Sequence, residues 1–192
     1  AGFPGSHSSM KEKRSKLGLG VSLLALGIIL LSGKFQSSPS QNKFTLAGEP
    51  IEIKGFSGSQ SEGLPPPIKI VIPALSIDLE VRKAEIKDGY WEVFEDSAAW
   101  GSGSGLPGNN GNQVIFAHAR KGLFLPLKGV KRDMQIYVLT DDKWYDYKVV
   151  EIKEVMPDKV EVIAPTPDET LTLYTCSGFQ DSKRLIVVAK RI

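Results

Sequence analysis

Three side chains in this sequence have the types that covalent acyl transfer needs: the thiol of Cys176, the imidazole of His118 and the guanidinium of Arg184. Cys176 ends the run Thr172-Leu173-Tyr174-Thr175-Cys176, an alternation of apolar and hydroxyl residues that reads as a β-strand, and Arg184 follows eight residues later. It is the sole cysteine, so no internal disulfide can form. Three roles stay open for its thiol: an inert packed side chain, an intermolecular cross-link or a nucleophile. The attacking species is the thiolate, and an unperturbed pKa of about 8.5 requires a cationic neighbour or a base to make it useful near neutrality.

His118 comes after the apolar stretch Gln113-Val114-Ile115-Phe116-Ala117 and before the polar loop residues Ala119 to Gly122. At a strand end it is either a surface side chain or a general base for the thiol that then protonates a leaving amine, since imidazole titrates in the range that both steps require. Arg184 is either one end of a surface ion pair with Asp181 or a donor to a developing oxyanion, charged at any relevant pH. A structural zinc site is excluded by one cysteine and, apart from His7 in the leader, one histidine. Calcium has oxygen ligands available in Glu92, Glu95, Asp96, Asp141 and Asp142, but their spacing matches no EF-hand-like loop, and a solvated acidic face is the expected reading; no cofactor is expected.

The elements that must position these groups are strands. Nineteen glycines and twelve prolines with many Val, Ile and Thr favour short strands and turns. From Ile68 onward the sequence predicts two strands broken at Pro73, a hairpin turning at Asp88-Gly89, a Gly- and Asn-rich loop over 98–112, and a buried strand delivering His118. A short helical turn over 123–130 follows, then strands at 134–139, 144–156 and 159–165, the cysteine strand 170–176 and a final strand from Arg184. About eight such strands in the last 125 residues predict an all-β fold, a closed or nearly closed barrel. The glycine-rich loop lacks the G-x-x-x-x-G-K-[ST] order and a following helix, which argues against nucleotide binding.

The amino-terminal third reads differently. Residues 1–9 look like a leader left by expression, ahead of a natural start at Met10. Residues 10–33 combine a basic flank with an uncharged run from Leu17 to Gly33, about 25 Å long as a helix against a hydrocarbon core of about 30 Å. Its apolar residues surround all faces, so a retained transmembrane signal anchor is expected, with the basic flank cytoplasmic and the rest extracytoplasmic. Residues 34–67 are rich in Ser, Gly, Pro and Gln and read as a stalk, within which the Ile51–Ile53 patch could pack on the domain. Residues 68–192 form the expected folded domain. A net charge of +2 with mixed signs and no basic stripe argues against a nucleic-acid groove.

A strand-end histidine, then Thr-Leu-Tyr-Thr-Cys, then an arginine eight positions on, closely resembles the sortases, membrane-anchored cysteine transpeptidases of bacterial surfaces. The resemblance covers about Ile68 to Ile192. It implies an eight-stranded sortase-type barrel on which His118, Cys176 and Arg184 converge as the catalytic groups, with Thr175, Phe116 and Ala117 at the substrate. It further implies cleavage of an LPxTG-like sorting signal through a thioacyl intermediate, and transfer to an amine on a cell-wall precursor or a pilin-like subunit. Ala117 stands where many members have glycine, and Lys131-Arg132-Asp133 where many have Gly-Asp. The stalk carries no Asp-Pro-aromatic lid motif of the pilin-polymerising class, and the connection before the cysteine strand reads as only a few residues, which resembles classes D and E. Rival readings are an L,D-transpeptidase, whose Ser-His-Gly-Cys pattern is absent, and a tethered binding module in which Cys176 is core.

Overall fold

The computed structural model describes Gly2, Ile51, Ile53 and residues 63–192. The expected anchor and most of the stalk lie outside the described residues, and among those described no helix is long and apolar enough to cross a membrane. The chain divides into a unit Ala1–Phe44 and a unit Thr45–Ile192, and every described residue except Gly2 belongs to the second.

β1 (Lys69–Ile72) and β2 (Ile77–Ala84) are separated by a 3₁₀ turn at Pro73–Leu75, where proline cannot donate to a ladder. β3 (Ile86–Lys87) and β4 (Tyr90–Trp91) make the expected hairpin on Asp88-Gly89, both at positive φ as a tight two-residue turn demands. β5 (Ala98–Gly101), β6 (Gly111–Phe116), β7 (Gln135–Leu139), β8 (Trp144–Val155), β9 (Glu169–Ser177) and β10 (Lys183–Arg191) complete the set. The strands close into an eight-stranded barrel in the order β1-β2-β5-β6-β9-β10-β8-β7, with β3 and β4 as a separate two-stranded sheet. The all-β barrel read from the sequence is therefore the fold observed.

Alternation along the strands makes two cores. Leu171 and Leu173 of β9, Leu185 and Val187 of β10, Ile115 of β6 and Tyr145 and Tyr147 of β8 fill the barrel interior. The opposite parity, Val114 and Phe116 of β6, Tyr174 of β9 and Ile186 of β10, packs outside the barrel against Trp91, Ile163, Ile51 and Ile53. Trp91, Phe116 and Tyr174 form a continuous ring stack, with centroids 5.8 and 4.8 Å apart. The Ile51–Ile53 patch does pack on the domain: Ile51 is fully buried, and the Ile53 amide donates to the Gly89 carbonyl at 2.9 Å.

Two readings of the sequence need correction. Ala98–Gly101, expected to be loop, is barrel strand β5, parallel to β2 and antiparallel to β6. Its residues are all buried, so no apolar–polar alternation marks it, and Gly101 is required because a Cβ there would lie 2.4 Å from the Trp91 ring. Conversely, Lys159 to Pro165, expected to be a strand, is not one. Its centre is a 3₁₀ turn at Val160–Ile163 in which only Ile163 is buried, and Pro157, Pro165 and Pro167 flank it. The connection from β8 to β9 therefore runs over residues 156–168, and the cysteine strand is not preceded by the short loop that the sequence suggests.

Candidate active site

The β9–β10 ladder sets the site. Cys176 pairs with Arg184, and the next residues of the same parity, Tyr174 and Ile186, pair below them. Directly opposed residues share a face, so the thiol and the guanidinium both lie on the outer side of the barrel, above the aromatic stack. β6 runs parallel to β9 on the other side, with Phe116 registered on Tyr174. His118 follows Phe116 by two residues, as Cys176 follows Tyr174. The ladder continues past the strand end: the Ala117 amide reaches the Tyr174 carbonyl at 3.4 Å, and the Thr175 hydroxyl donates to the Ala117 carbonyl at 2.7 Å. The three sequence-predicted groups thus sit at the same end of three adjacent strands, β6, β9 and β10.

Arg184 is 1% exposed. Its guanidinium donates to the Asp181 and Lys183 carbonyls, both at 2.9 Å, and so ties together the turn between β9 and β10. That turn holds Gln180 and Asp181 at positive φ, an arrangement the buried arginine helps to maintain. The contact with Asp181 is to its backbone carbonyl, so Arg184 is no surface ion pair with the Asp181 carboxylate. Cys176 is partly exposed. Burial pushes its thiol above the ordinary cysteine range, Arg184 and Lys128 act in the opposite sense, and Asp181 adds to the rise. The thiol form is accordingly the resting form at neutral pH.

His118 is about a third exposed, with Nε2 3.4 Å from the Glu95 carboxylate. The other carboxylate oxygen of Glu95 accepts from Arg120, and Arg120 first and His118 second hold that carboxyl below the usual carboxylate range. The His118 carbonyl accepts from the Phe124 amide at 3.0 Å, which fixes the loop leading to the 3₁₀ turn Leu125–Gly129. From the sequence, Glu95 is no more than a candidate calcium ligand. Its approach to His118 joins residues 23 apart, and no local spacing signals it.

The substrate-side candidates are placed underneath the site. Phe116 is buried in the ring stack, Ala117 belongs to the barrel interior and Thr175 is buried with its hydroxyl turned to Ala117. They shape the floor that carries Cys176 and His118. Exposed apolar side chains do surround this end of the barrel: Phe179 on the β9–β10 turn, Met156 just beyond the residue paired with Arg184, and Leu125 after His118. Among the described residues no group of three or more metal-ligating side chains is present. Each acidic side chain near a calcium-like position except Asp141 is already engaged: Glu92 by Lys87, Asp96 by Arg82, Asp142 by Thr140.

Fold and site together define an eight-stranded barrel with a thiol, a guanidinium and an imidazole on neighbouring strand ends of its outer face. The Sortase domain model matches residues 70–192, and the chain belongs to the sortase family. It is 31% identical to sortase A of Streptococcus agalactiae over 69% of this chain and 55% of that protein. It is 30% identical to sortase A of Bacillus anthracis over 63% of this chain and 57% of that protein. The chain thus spans a little over half the length of these relatives. Among solved structures, sortase A of Corynebacterium diphtheriae superposes with a TM-score of 0.59 at 26% identity, covering 77% of each chain. The pilus-related sortase C of Group B Streptococcus does so with a TM-score of 0.57 at 30% identity, covering 66% of this chain and 67% of the other.

Proposed function

We propose that this chain is a membrane-anchored, extracytoplasmic cysteine transpeptidase that cleaves an LPxTG-like sorting signal and transfers the protein carrying it to an amine on the cell surface. The observation that carries the reading is the direct pairing of Cys176 with Arg184, on a strand flanked on its other side by the one that delivers His118. The family match sets aside the L,D-transpeptidase reading.

In the first step the Cys176 thiolate attacks the carbonyl carbon of the Thr-Gly bond. Negative charge develops on the carbonyl oxygen, and Arg184, charged and held by the turn carbonyls, donates to it. The C–N bond breaks as His118 gives its proton to the leaving amine, and a thioester remains on Cys176. In the second step His118 takes a proton from the incoming amine, that nitrogen attacks the thioester carbon, and the C–S bond breaks to return the thiolate. Water in place of the amine gives hydrolysis. Because burial favours the thiol, the reactive thiolate–imidazolium pair is a minor form, and a bell-shaped pH profile is expected.

The amine is supplied by a cell-wall precursor or a pilin-like subunit. One of the similar structures is a pilus-related sortase C, which favours keeping the pilin acceptor open. The thirteen-residue β8–β9 connection removes loop shortness as a reason to favour class D or E. No cofactor is needed for these steps, and calcium addition or chelation should leave the rate unchanged. The test is mass spectrometry of the protein mixed with sorting peptides and amines. A thioacyl species on Cys176 and a ligated product support the reading; an unreactive thiol with a loop-borne ligand would favour the tethered binding module.

A further inference from the structure

β8 ends beside Arg184, because Val155 pairs with it, whereas β9 begins at Glu169, at the far end of the barrel from Cys176. Residues 156–168 must therefore travel back along the outer face that carries the site. Their one deep side-chain anchor is Ile163, buried with Tyr174, Phe116 and Ile186. The backbone on either side of Ile163 is held by a single residue. Asn112 donates from Nδ2 to the Val162 carbonyl at 3.3 Å and to the Ala164 carbonyl at 3.0 Å. Its Oδ1 accepts from the Thr172 hydroxyl at 2.7 Å, and its own carbonyl accepts from the Gly105 amide at 2.8 Å. The amide orientation is determined by these partners, because a flipped Asn112 would set its oxygen against two carbonyls. Asn112 is 3% exposed and stands on β6, separated by β9 and β10 from β8, where the loop departs.

Pro157, Pro165, Pro167 and the 3₁₀ turn at Val160–Ile163 stiffen the segment 156–168 locally, but they do not attach it to the barrel. Met156 and Val160 are exposed, and among the described residues no strand ladder includes this segment. Its β9 end is tied at Asp168, whose carbonyl accepts from the Gly111 amide at 3.3 Å and whose carboxylate accepts from Lys190 Nζ at 2.8 Å, so the position of its middle over the outer face depends on Ile163 and the Asn112 amide. We propose that Asn112, supported by Thr172, is a positioning residue that holds the 156–168 loop as a preformed wall beside Cys176 and Arg184, so that the substrate meets a fixed groove. This rests on the transpeptidase reading for what the groove receives, while the anchoring itself stands on the geometry.

Two readouts test it in the full chain. Lys159 places a trypsin site inside the loop. Asn112→Asp keeps the side-chain shape but replaces both donors with acceptors, and each lost hydrogen bond of typical strength corresponds to about a five- to ten-fold change in an opening equilibrium. Cleavage after Lys159 should accelerate by at least about ten-fold in Asn112→Asp, and by a smaller factor in Thr172→Val, which leaves the two carbonyl bonds in place. In the same variants KM for a sorting peptide should rise several-fold, while alkylation of Cys176 by iodoacetamide keeps its wild-type rate. Should Asn112→Asp fail to fold, Thr172→Val carries both measurements. Cleavage at the wild-type rate, or faster cleavage with unchanged KM, overturns the proposal. A wild-type chain that ligates no peptide overturns the transpeptidase reading instead, and the trypsin result still decides the anchoring.

Discussion

Cys176 and Arg184 face each other across the β9–β10 ladder as direct partners, with Arg184 the buried member and Cys176 the partly exposed one. A guanidinium so placed opposes the effect of burial on the thiol, and in the proposed reaction it would also donate to the charge that develops on the substrate next to the sulfur. Arg184→Ala should lower turnover by about 10²–10³-fold, the usual loss for an oxyanion donor, and move the pH midpoint of Cys176 alkylation upward. Arg184→Lys keeps the charge without the fork, so it should restore the alkylation midpoint more fully than the turnover. Alkylation rate against pH and steady-state turnover separate the two effects; identical midpoints in wild type and Arg184→Ala would remove the electrostatic link.

Asp181 acts on the same thiol in the opposite sense. It is exposed and already at positive φ, a conformation asparagine tolerates, so Asp181→Asn should leave the turn intact. Removing a negative charge stabilises the thiolate relative to the thiol. The alkylation midpoint should therefore shift to lower pH, measurable in the same experiment as for Arg184 and opposite in direction.

Thr175 connects the nucleophile strand to the histidine strand through its hydroxyl bond to the Ala117 carbonyl. Thr175→Val preserves shape and loses that bond, worth about 1 kcal/mol of stability. Because Ala117 immediately precedes His118, kcat should fall with little change in KM, and thiol alkylation should be nearly unaffected. Unchanged kcat would mean that His118 is held adequately by its other contacts.

Phe116 lies between Trp91 and Tyr174 in the ring stack and is buried to 1% exposure. Phe116→Ala should cost about 3–5 kcal/mol of unfolding free energy in a denaturant titration, the cost of an aromatic deletion in a core. A loss below about 1 kcal/mol would show that the stack relaxes around the cavity.

Much of this arrangement is legible in the sequence because strands advertise themselves by alternation. Cys176, His118 and Arg184 are each readable as strand-end residues, and the hairpin at Asp88-Gly89 as a turn. The failures have physical causes. Ala98–Gly101 is buried on both faces and built of small residues that fit against Trp91, so it reads as loop. Val160-Glu161-Val162 alternates like a strand but has no partner to pair with among the described residues and is flanked by prolines. Asn112 and Glu95 act through contacts 50 and 23 residues away in the chain, to Val162 and His118, and local pattern carries no trace of such partners.

The central claim is that Cys176 is the acyl-carrying nucleophile. Mass spectrometry after mixing the protein with an LPxTG-like peptide and an amine, followed by proteolysis, tests it most directly. The acyl group should appear on the peptide containing Cys176, disappear when the amine is added as ligated product accumulates, and be absent in Cys176→Ala. Ligation retained by Cys176→Ala, or an acyl group carried on any other residue, would contradict it.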